Sequence, residues 1–443
     1  MTRPQFGTFT GGIDLPDAKD ATINSAIAPA GRLNRLGVPL APVQADAARP
    51  AVRIGQYVSR GERLGEATCA EQVDVFAPLA GRVTGFCNVS VPSHPTGWRR
   101  CRAVELADLD IPAGIGPLRE NYDWLAADEK SIRLRIAEGG LTTFYEPVVS
   151  LSRYIDSSRQ AKVDTLIANV MENTPFITAD HRLLAERGLE VVRGLAILAR
   201  AVGASDVILA VDHRHTDAYR TTVAPARLYG ISSIALAHKY PIGAVAMLIK
   251  VLTRRRAPPG ADGLAVGVAV TDAATCHAAY RWVACGELPT ARVITVSGQR
   301  INSPANMFVP FGADVSEVLD LAGTRGEGKC VFGSAMTGRQ VADGAVTGPS
   351  ANALLALEDD HQPIPTPCIR CGWCSDNCPA RLNVSALNDD FELGRTAAAR
   401  RHGAMACIEC AICSYVCPAR LPLMQRVRLL KQAIGQEMSN AVR

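Results

Sequence analysis

The N-terminal quarter of the chain alternates apolar and polar positions in short runs that glycines separate. Residues 52–66 alternate around Gly55 and Gly61, and residues 75–85 continue the same pattern. Apolar positions with a period of two, interrupted by turn residues, are typical of short strands that turns connect. The pattern therefore predicts an all-β domain over residues 1–110.

The pattern changes between residues 120 and 275, where short apolar runs alternate with longer stretches of helical spacing. Residues 180–202 carry leucine and valine at helical spacing, which predicts a helix between two buried strands. Strands that alternate with helices are typical of a parallel, doubly wound sheet. We therefore predict a Rossmann-like α/β domain over residues 120–275. Its strands are predicted at residues 163–169, 206–212, 231–236 and 264–270.

Two smaller units are predicted in the C-terminal part of the chain. Two short apolar runs followed by a helical stretch predict a small β-rich module over residues 285–330. A glycine-rich connection over residues 323–348 then leads to a helical domain over residues 350–440. The module is predicted to have strands at residues 293–298 and 307–310 and a helix at residues 315–321, and the last domain helices at residues 385–401 and 421–434.

Composition and charge narrow the class of protein. The chain has 443 residues, 48% of them hydrophobic and 20% charged, as in a globular protein of two to four domains. It has no apolar run of about 18 residues, and its N-terminus lacks the apolar core of a signal peptide. We therefore expect a cytoplasmic protein with no transmembrane segment of its own. A net charge of +4 is too small to indicate nucleic-acid binding.

The C-terminal region is locally basic. Residues 395–443 contain eight Lys or Arg residues but only two acidic residues, Glu409 and Glu437. Such a run is often the solvated face of a helix. It is also typical of a surface that docks on anionic lipid or on an acidic redox partner. The sequence leaves both interpretations open.

Eight of the 14 cysteines lie in two copies of the motif C-x2-C-x2-C-x3-C-P. This spacing holds [4Fe–4S] clusters, and in two-cluster ferredoxins the fourth cysteine of each motif binds the other cluster. We therefore predict two [4Fe–4S] clusters whose ligands cross between the motifs. The predicted ligands of the first cluster are Cys368, Cys371, Cys374 and Cys417, and those of the second cluster are Cys407, Cys410, Cys413 and Cys378.

Zinc binding and disulfide formation are the alternatives for these cysteines. A zinc site needs four ligands, so it would leave the additional cysteine and the proline of each motif unexplained. Disulfides are typical of short secreted chains rather than of a chain of this length. The doubled motif favours iron–sulfur clusters over both alternatives.

Two β modules resemble known small folds. Residues 55–85 follow the pattern GxxVxxGxxLxEA…APxxGxV and resemble the barrel-sandwich fold of lipoyl and biotinyl carriers. Those carriers need a lysine at a hairpin tip, and no lysine occurs between Lys19 and Lys130, which excludes a carrier role. Residues 291–322 resemble a β-grasp module of the SLBB type.

The order of these parts resembles one family along nearly the whole chain. The N-terminal stretch Phe9-Thr-Gly-Gly-Ile-Asp, the barrel, the α/β unit, the SLBB-like module and the paired cysteine motifs are similar to the C subunit of Rnf-type electron-transport complexes. The cobalamin reductase of propanediol microcompartments is a relative of that family. The resemblance implies that the α/β domain is similar to the NADH-binding flavoprotein subunit of complex I, which binds FMN and accepts hydride from NADH.

The resemblance also implies cofactor-binding positions, although three motifs depart from the family pattern. In the family loop GxGGAGFPT, two glycines remain but residues 141–145 replace the open part, and Glu146 adds a negative charge near a phosphate. In the family motif NGAECEP, Thr174 replaces the second glutamate. In the family motif YPxGxE, Val245 replaces the glutamate. These changes predict an altered or lost FMN and NADH site. The positions implied to bind FMN or NADH are Gly139, Gly140, Asn169, Glu172, Asp180 and Lys239.

Three functions follow from these patterns. The first is electron transfer through two [4Fe–4S] clusters, linked to NADH oxidation where FMN binds, by a peripheral subunit on the cytoplasmic face of the inner membrane. Its partners would be other subunits of a membrane redox complex, a flavoprotein or a ferredoxin. The second is a soluble flavin and iron–sulfur reductase of the cobalamin-reductase kind. The third is an adaptor in which the clusters serve only structure. No residue is assigned a catalytic role.

Overall fold

The computed structural model describes residues 5–6, 9–93, 97–359 and 364–442. The parts of the expected barrel at residues 1–4, 7–8 and 94–96 lie outside the described residues, as does Arg443 of the basic run. The strands are β1 (Gln5–Phe6), β2 (Ala28–Pro29), β3 (Leu36–Pro39), β4 (Arg49–Pro50), β5 (Tyr57–Val58), β6 (Arg63–Glu66), β7 (Val75–Phe76), β8 (Gly81–Ser93), β9 (Gly97–Ala107), β10 (Thr165–Val170), β11 (Asp206–Asp212), β12 (Ser232–Leu236), β13 (Val268–Asp272), β14 (Ala291–Ser297), β15 (Ala305–Pro310), β16 (Lys329–Phe332), β17 (Arg339–Gln340) and β18 (Ala353–Leu357).

The helices alternate with strands in the middle of the chain and dominate its C-terminal end. The α-helices are α1 (Glu129–Glu138), α2 (Leu151–Gln160), α3 (Ala179–Val202), α4 (Thr216–Leu228), α5 (Val245–Thr253), α6 (Ala273–Val283), α7 (Val315–Leu321), α8 (Trp373–Asp376), α9 (Val384–Glu392), α10 (Thr396–Arg401), α11 (Ile412–Tyr415) and α12 (Leu423–Val442). Short 3-10 helices occur at Gly263–Val266 and Ala404–Ala406. Within the described ranges, no helix combines the length and the apolar character needed to cross a membrane.

The N-terminal unit is a barrel-sandwich of two antiparallel sheets. One sheet has the order β3-β9-β8-β5 and the other the order β4-β6-β7. Alternate side chains of these strands, such as Val38, Leu64 and Leu106, are buried between the sheets. The described N-terminal segment that carries β1 and β2 does not belong to this barrel, in contrast to the expected range of residues 1–110. Strand β1 pairs with β12 and β2 pairs with β15, so this segment extends across the other two sheets.

The central unit is a five-stranded parallel sheet with helices on both faces. The strand order is β1-β12-β11-β10-β13. Leu166 of β10 packs among α3 and α6, whereas its neighbour Ile167 packs against Met247 of α5 on the opposite face. Burial on both faces explains the continuous apolar runs of these strands. Strand β13 begins four residues later than predicted, because Gly263–Val266 forms a 3-10 helix that the Asp262 side chain caps.

The strand order places a topological switch point between β10 and β13. The chain proceeds from β10 to β11 and β12 in one direction, and then returns to β13 on the other side of β10. Ligands of open α/β sheets bind in the crevice outside the carboxyl ends of strands at such a point. The segments that follow β10 and β13 therefore line the expected binding crevice.

The third sheet is larger than the sequence predicted. Its order is β17-β16-β18-β14-β15-β2, with α7 packed against it. The predicted glycine-rich connection over residues 323–348 contains β16 and β17, and β18 then inserts between β14 and β16. The unit therefore extends to Leu357 rather than to residue 330. Local sequence could not show this, because β18 is specified by pairing with a strand more than 50 residues away.

The C-terminal unit is helical, as predicted. The helix expected over residues 385–401 is two helices, α9 and α10, because Gly394 adopts a left-handed conformation with a φ of 62° between them. The last helix, α12, covers a longer stretch than residues 421–434. Leu387, Val427 and Leu430 form part of the core of the C-terminal unit, and both cysteine motifs pack on this core.

Candidate functional site

The eight motif cysteines line two small cavities in the C-terminal unit. Each cavity combines three cysteines of one motif with the last cysteine of the other motif, which is the crossed arrangement expected from the sequence. The first cavity contains Cys368, Cys371, Cys374 and Cys417. The second cavity contains Cys378, Cys407, Cys410 and Cys413.

The backbone of the two motifs repeats the same unusual conformations at an offset of 39 residues. Arg370 and Glu409 both have a φ of 55°, and Gly372 and Ala411 have φ values of 84° and 64°. A non-glycine residue in the left-handed region is strained, so the surrounding structure must fix it. These turns curve each motif around its cavity and direct a backbone N–H inward, as where Glu409 N donates to the Cys407 Sγ over 3.4 Å.

Burial in these cavities disfavours free thiolates, so a thiolate there needs a bound cationic group. Burial raises the pKa of Cys374 and Cys407, and raises the pKa of Cys410 to about 12. An apolar cavity alone would therefore keep these thiols protonated, whereas bound iron stabilises the thiolate. In the described part of the chain, no three His, Cys, Asp or Glu side chains converge on a point as ligands of a single ion would. The donor set fits [4Fe–4S] clusters, in which each thiolate binds a different iron.

A larger cavity of about 480 Å³ lies at the switch point of the parallel sheet. Its volume is within the range of small-molecule and cofactor sites. The central unit contributes the ends of β10 and β13 and the start of α3, the third sheet contributes the hairpin between β16 and β17, and the C-terminal unit contributes Ile408, Glu409 and Cys410. The central unit, the third sheet and the C-terminal unit therefore meet at this cavity, and the second cysteine motif forms part of its wall.

Three of the cofactor-binding residues predicted from the sequence lie together in this cavity, namely Asn169, Glu172 and Asp180. Asn169 is the next-to-last residue of β10, and its Nδ2 donates to the Gly243 carbonyl oxygen over 2.9 Å. The Glu172 carboxylate accepts from the backbone N–H groups of Asp180 and His181, both at 2.9 Å. Glu172 thus satisfies the free N–H groups at the start of α3 and fixes that helix against the cavity.

Asp180 is a carboxyl group of the cavity wall whose pKa is raised. Burial among protein atoms raises its pKa well above the usual value, and the negative charges of Asp272 and Glu172 raise it further. Arg292 opposes this effect, but its own guanidinium donates to the carbonyl oxygens of Phe144 and Pro349. The Asp180 carboxyl on the cavity wall therefore binds a proton at a higher pH than an ordinary aspartate does.

We expect Asp180→Asn to raise the stability of the protein at neutral pH and to reduce the dependence of stability on pH. Because the folded-state pKa of Asp180 is raised, the native state binds more protons than the unfolded state above the unfolded pKa of about 4. Stability is therefore lost as the pH rises from that value through the folded pKa. Anaerobic thermal unfolding at pH 5 and pH 8 measures this. A fall in stability between the two pH values that is equal in both proteins would contradict the prediction.

Three other predicted residues are not brought to this cavity. A Cβ on Gly139 would overlap the Trp282 ring, and one on Gly140 would lie 2.5 Å from the Asp74 carbonyl oxygen. Gly139 therefore allows close packing on α6 within the central unit, and Gly140 allows close packing between the barrel and the central unit. Both glycines line a separate small cavity. Lys239 Nζ donates to the Phe9 carbonyl oxygen over 3.0 Å and lies above the Phe9 ring.

The loop after Gly140 is closed by side chains rather than open along its backbone. Leu141 and Phe144 are buried, and the Phe144 N–H donates to the Thr275 Oγ1 over 2.9 Å. The Glu146 carboxylate forms an ion pair with Arg339 of the hairpin between β16 and β17. The negative charge expected from the sequence at this loop is therefore neutralised by a residue that lies almost 200 positions away.

The sequence did not assign several residues that the structure brings to the cavity. Asp272 ends β13 and caps α6 by accepting from the Thr275 N–H over 2.7 Å, and a carboxylate after an apolar run could have indicated it. Arg292 and Arg339 gave no local signal, because their positions depend on pairing within the third sheet. The Tyr240 hydroxyl donates to the Cys410 carbonyl oxygen over 2.7 Å, which only the packed structure reveals.

Comparison with known proteins identifies the family. The family "RnfC Barrel sandwich hybrid domain" matches residues 7–105, "Nuo51 FMN-binding domain" matches residues 149–281 and "4Fe-4S dicluster domain" matches residues 367–422. The C subunit of the ion-translocating oxidoreductase complex of Rhodobacter capsulatus is 31% identical over 399 residues, which cover 88% of this chain and 76% of that protein. This chain belongs to the Rnf C-subunit family.

Other members of this family match over similar stretches. The C subunit of the proton-translocating ferredoxin:NAD(+) oxidoreductase complex of Clostridium ljungdahlii is 27% identical over 386 residues, covering 86% of this chain and 84% of that protein. A longer relative from Edwardsiella ictaluri is 28% identical over 86% of this chain, and the chain spans 48% of its length. A solved NAD+-reducing [NiFe]-hydrogenase in the H2-reduced state has a TM-score of 0.47 at 18% identity over 71% of this chain and 64% of that chain.

These matches confirm the fold class and the cluster content expected for a member of the Rnf C-subunit family. The chain has a barrel-sandwich unit, an FMN-binding-type α/β domain and a two-cluster [4Fe–4S] domain, and it is an electron-transfer subunit of this family. The dicluster match includes all eight motif cysteines. The FMN-domain match begins at residue 149, after the departing loop at residues 138–147.

Proposed function

We propose that this chain is a peripheral subunit of an Rnf-type membrane complex and transfers electrons between a flavin in the 480 Å³ cavity and a partner protein, through its two clusters. One observation carries the proposal: Cys410 lines both the large cavity and the second cysteine cavity. A redox group in the large cavity would therefore lie beside a cluster ligand.

The large cavity is suited to FMN in volume and lining, although it lacks the open glycine loop. Bound FMN would supply the conversion between two-electron and one-electron chemistry. For its part, the chain provides amide and hydroxyl groups at Asn173, Ser334 and Thr337, and the protonatable carboxyl of Asp180. The basic groups Arg339 and Arg428 on the wall are already paired with carboxylates. We therefore expect FMN to bind reversibly and to require addition after purification.

The two cluster sites differ in their exposure, which supports an order of electron transfer. The second site contacts the cavity wall through Cys410. The first site is nearer to solvent, because Cys371 is exposed and its neighbours Ile369 and Trp373 are 65% and 56% exposed. We place the partner, a flavoprotein, a ferredoxin or another subunit of the complex, against this exposed apolar surface. Cluster ligands must stay as free thiols, and the reducing cytoplasm keeps thiols free, which supports a position on the cytoplasmic face of the membrane.

Anaerobic purification followed by iron analysis and FMN titration tests this function. We expect about eight irons for two four-iron clusters, one FMN site per chain, and clusters that change their EPR signal on reduction. Clusters that cannot be reduced would contradict electron transfer and favour a structural adaptor.

NADH is then added together with FMN to test whether the chain oxidises NADH. Bleaching of the clusters by NADH extends the function to NADH oxidation, whereas reduction only by dithionite assigns the electron supply to another protein.

A pair of hairpin variants locates the FMN site. Thr337 lines the large cavity, whereas its neighbour Ala335 is exposed and does not. We expect Thr337→Trp to weaken FMN binding by occupying the cavity, measured as quenching of flavin fluorescence, and Ala335→Trp to leave it unchanged. Equal affinities in both variants would place the flavin elsewhere.

A further inference from the structure

Tyr240 lies between the large cavity and the second cluster site. Its side chain is 5% exposed and lines the large cavity. Its hydroxyl donates to the carbonyl oxygen of Cys410 over 2.7 Å. One side chain therefore contacts both the proposed flavin cavity and the backbone of a cluster cysteine.

The backbone of Tyr240 is fixed by the N-terminal segment that also contacts the other motif. Tyr240 and Ile13 exchange two backbone hydrogen bonds of 2.9 and 3.0 Å. Next to Ile13, the Gly12 N–H donates to the Asn377 carbonyl oxygen over 2.9 Å, and Gly11 packs so closely on Cys378 that a Cβ would lie 2.8 Å from its carbonyl group. This segment therefore holds both motifs of the second site, at Cys378 and at Cys410.

The surroundings make the Tyr240 hydrogen bond electrostatically effective. Tyr240 packs with the buried side chains of Leu15 and Ile412, and the partly buried Cys410 and Val416 pack against this apolar cluster. In such surroundings a dipole is less screened than in water. A donated O–H withdraws negative charge from the carbonyl group at the edge of the cluster site. This favours the reduced cluster, which carries one more negative charge, because hydrogen bonds near a cluster influence its potential.

We propose that Tyr240 is a positioning residue that holds Cys410 and raises the reduction potential of the second cluster relative to the first, so that electrons from the cavity enter at the second cluster. This inference rests on the proposed function, in which Cys410 is a ligand of the second cluster. The contacts of the N-terminal segment with Cys378 and of Tyr240 with Cys410 are both made at residues that line the second cysteine cavity. The effect is therefore expected to be confined to one cluster.

A redox titration of Tyr240→Phe, followed by EPR, tests the inference. We expect about eight irons to remain, and the ratio of reduced to oxidised second cluster at a fixed solution potential to fall about two- to tenfold, the value of one neutral hydrogen bond. The first cluster should be unchanged. Tyr145→Phe is the matched control, because Tyr145 also lines the large cavity but donates to the Val270 carbonyl oxygen.

The outcomes separate this inference from the proposed function. An unchanged second-cluster ratio in Tyr240→Phe, or an equal shift in Tyr145→Phe, would overturn the role of Tyr240. Absence of a second cluster from the wild-type protein would instead overturn the proposed function. If Tyr240→Phe does not fold, 3,5-difluorotyrosine placed at position 240 keeps the test available. This stronger donor should shift the second cluster in the opposite direction, and no shift would overturn the inference.

Discussion

Cys378→Ser is expected to remove the second cluster and to leave the first cluster intact, although Cys378 belongs to the first motif. The structure places Cys378 in the cavity formed by Cys407, Cys410 and Cys413. A cluster that loses one of its four thiolate ligands is expected to be lost. Iron analysis should therefore fall from about eight to about four irons, and EPR should retain the signal of one cluster only.

The reciprocal variant and a cysteine outside the motifs provide the controls. Cys417→Ser should remove the first cluster, because Cys417 lies with Cys368, Cys371 and Cys374. Cys69→Ser changes an exposed cysteine that belongs to neither motif, and should retain about eight irons. If Cys378→Ser and Cys374→Ser abolish the same EPR signal, each motif binds its own cluster and the crossed arrangement is wrong.

Gly194→Ala is expected to destabilise the fold strongly, because it adds a side chain at the contact between α3 and α6. Gly194 lies in the middle of α3, where the helix packs on the backbone of α6. A Cβ at this position would overlap the Cys276 carbonyl oxygen and would lie 3.1 Å from the Cys276 Cα. Backbone atoms cannot rotate away as a side chain can, so α3 and α6 would have to separate.

We expect this substitution to lower the free energy of unfolding by about 3 kcal/mol or more, the upper range for overpacking in a close-packed core. Chemical denaturation under anaerobic conditions measures the change. Gly435→Ala is the matched control, because Gly435 is also inside a helix, α12, and nothing lies within 4 Å of a Cβ there. It should raise stability by about 0.5 to 1 kcal/mol through helix propensity. Similar values for both variants would show that α3 and α6 can separate without cost.

The packing of α3 on α6 is also relevant to the site. Asp180 lies in the first turn of α3, and Asp272 caps the first turn of α6. The separation between these two carboxyl groups therefore depends on how closely the helices approach. A stable variant with a larger helix to helix distance would be expected to reduce the rise in the Asp180 pKa that Asp272 contributes.

The sequence by itself determined the cluster domain and the core of the central unit. Most of a [4Fe–4S] site is local, because three of the four cysteines of each cavity lie close together in the sequence and only the fourth comes from the other motif. The spacing of the motif is therefore readable without a fold. The parallel strand at residues 206–212 was likewise predictable, because a strand that is buried on both faces has a continuous apolar run. The helix at residues 180–202 was predictable because its buried face gives apolar residues at helical spacing.

Only the tertiary structure decided how the large cavity at the switch point is built. Glycines 139 and 140 suggested a phosphate loop, but Trp282 and Asp74 occupy the space that their missing side chains leave. The charge of Glu146 is cancelled by Arg339, and Tyr240 reaches Cys410, through contacts between residues more than 150 positions apart. Such contacts are fixed by the packing of separate units. Local periodicity cannot encode them, because it reports only which face of an element is buried.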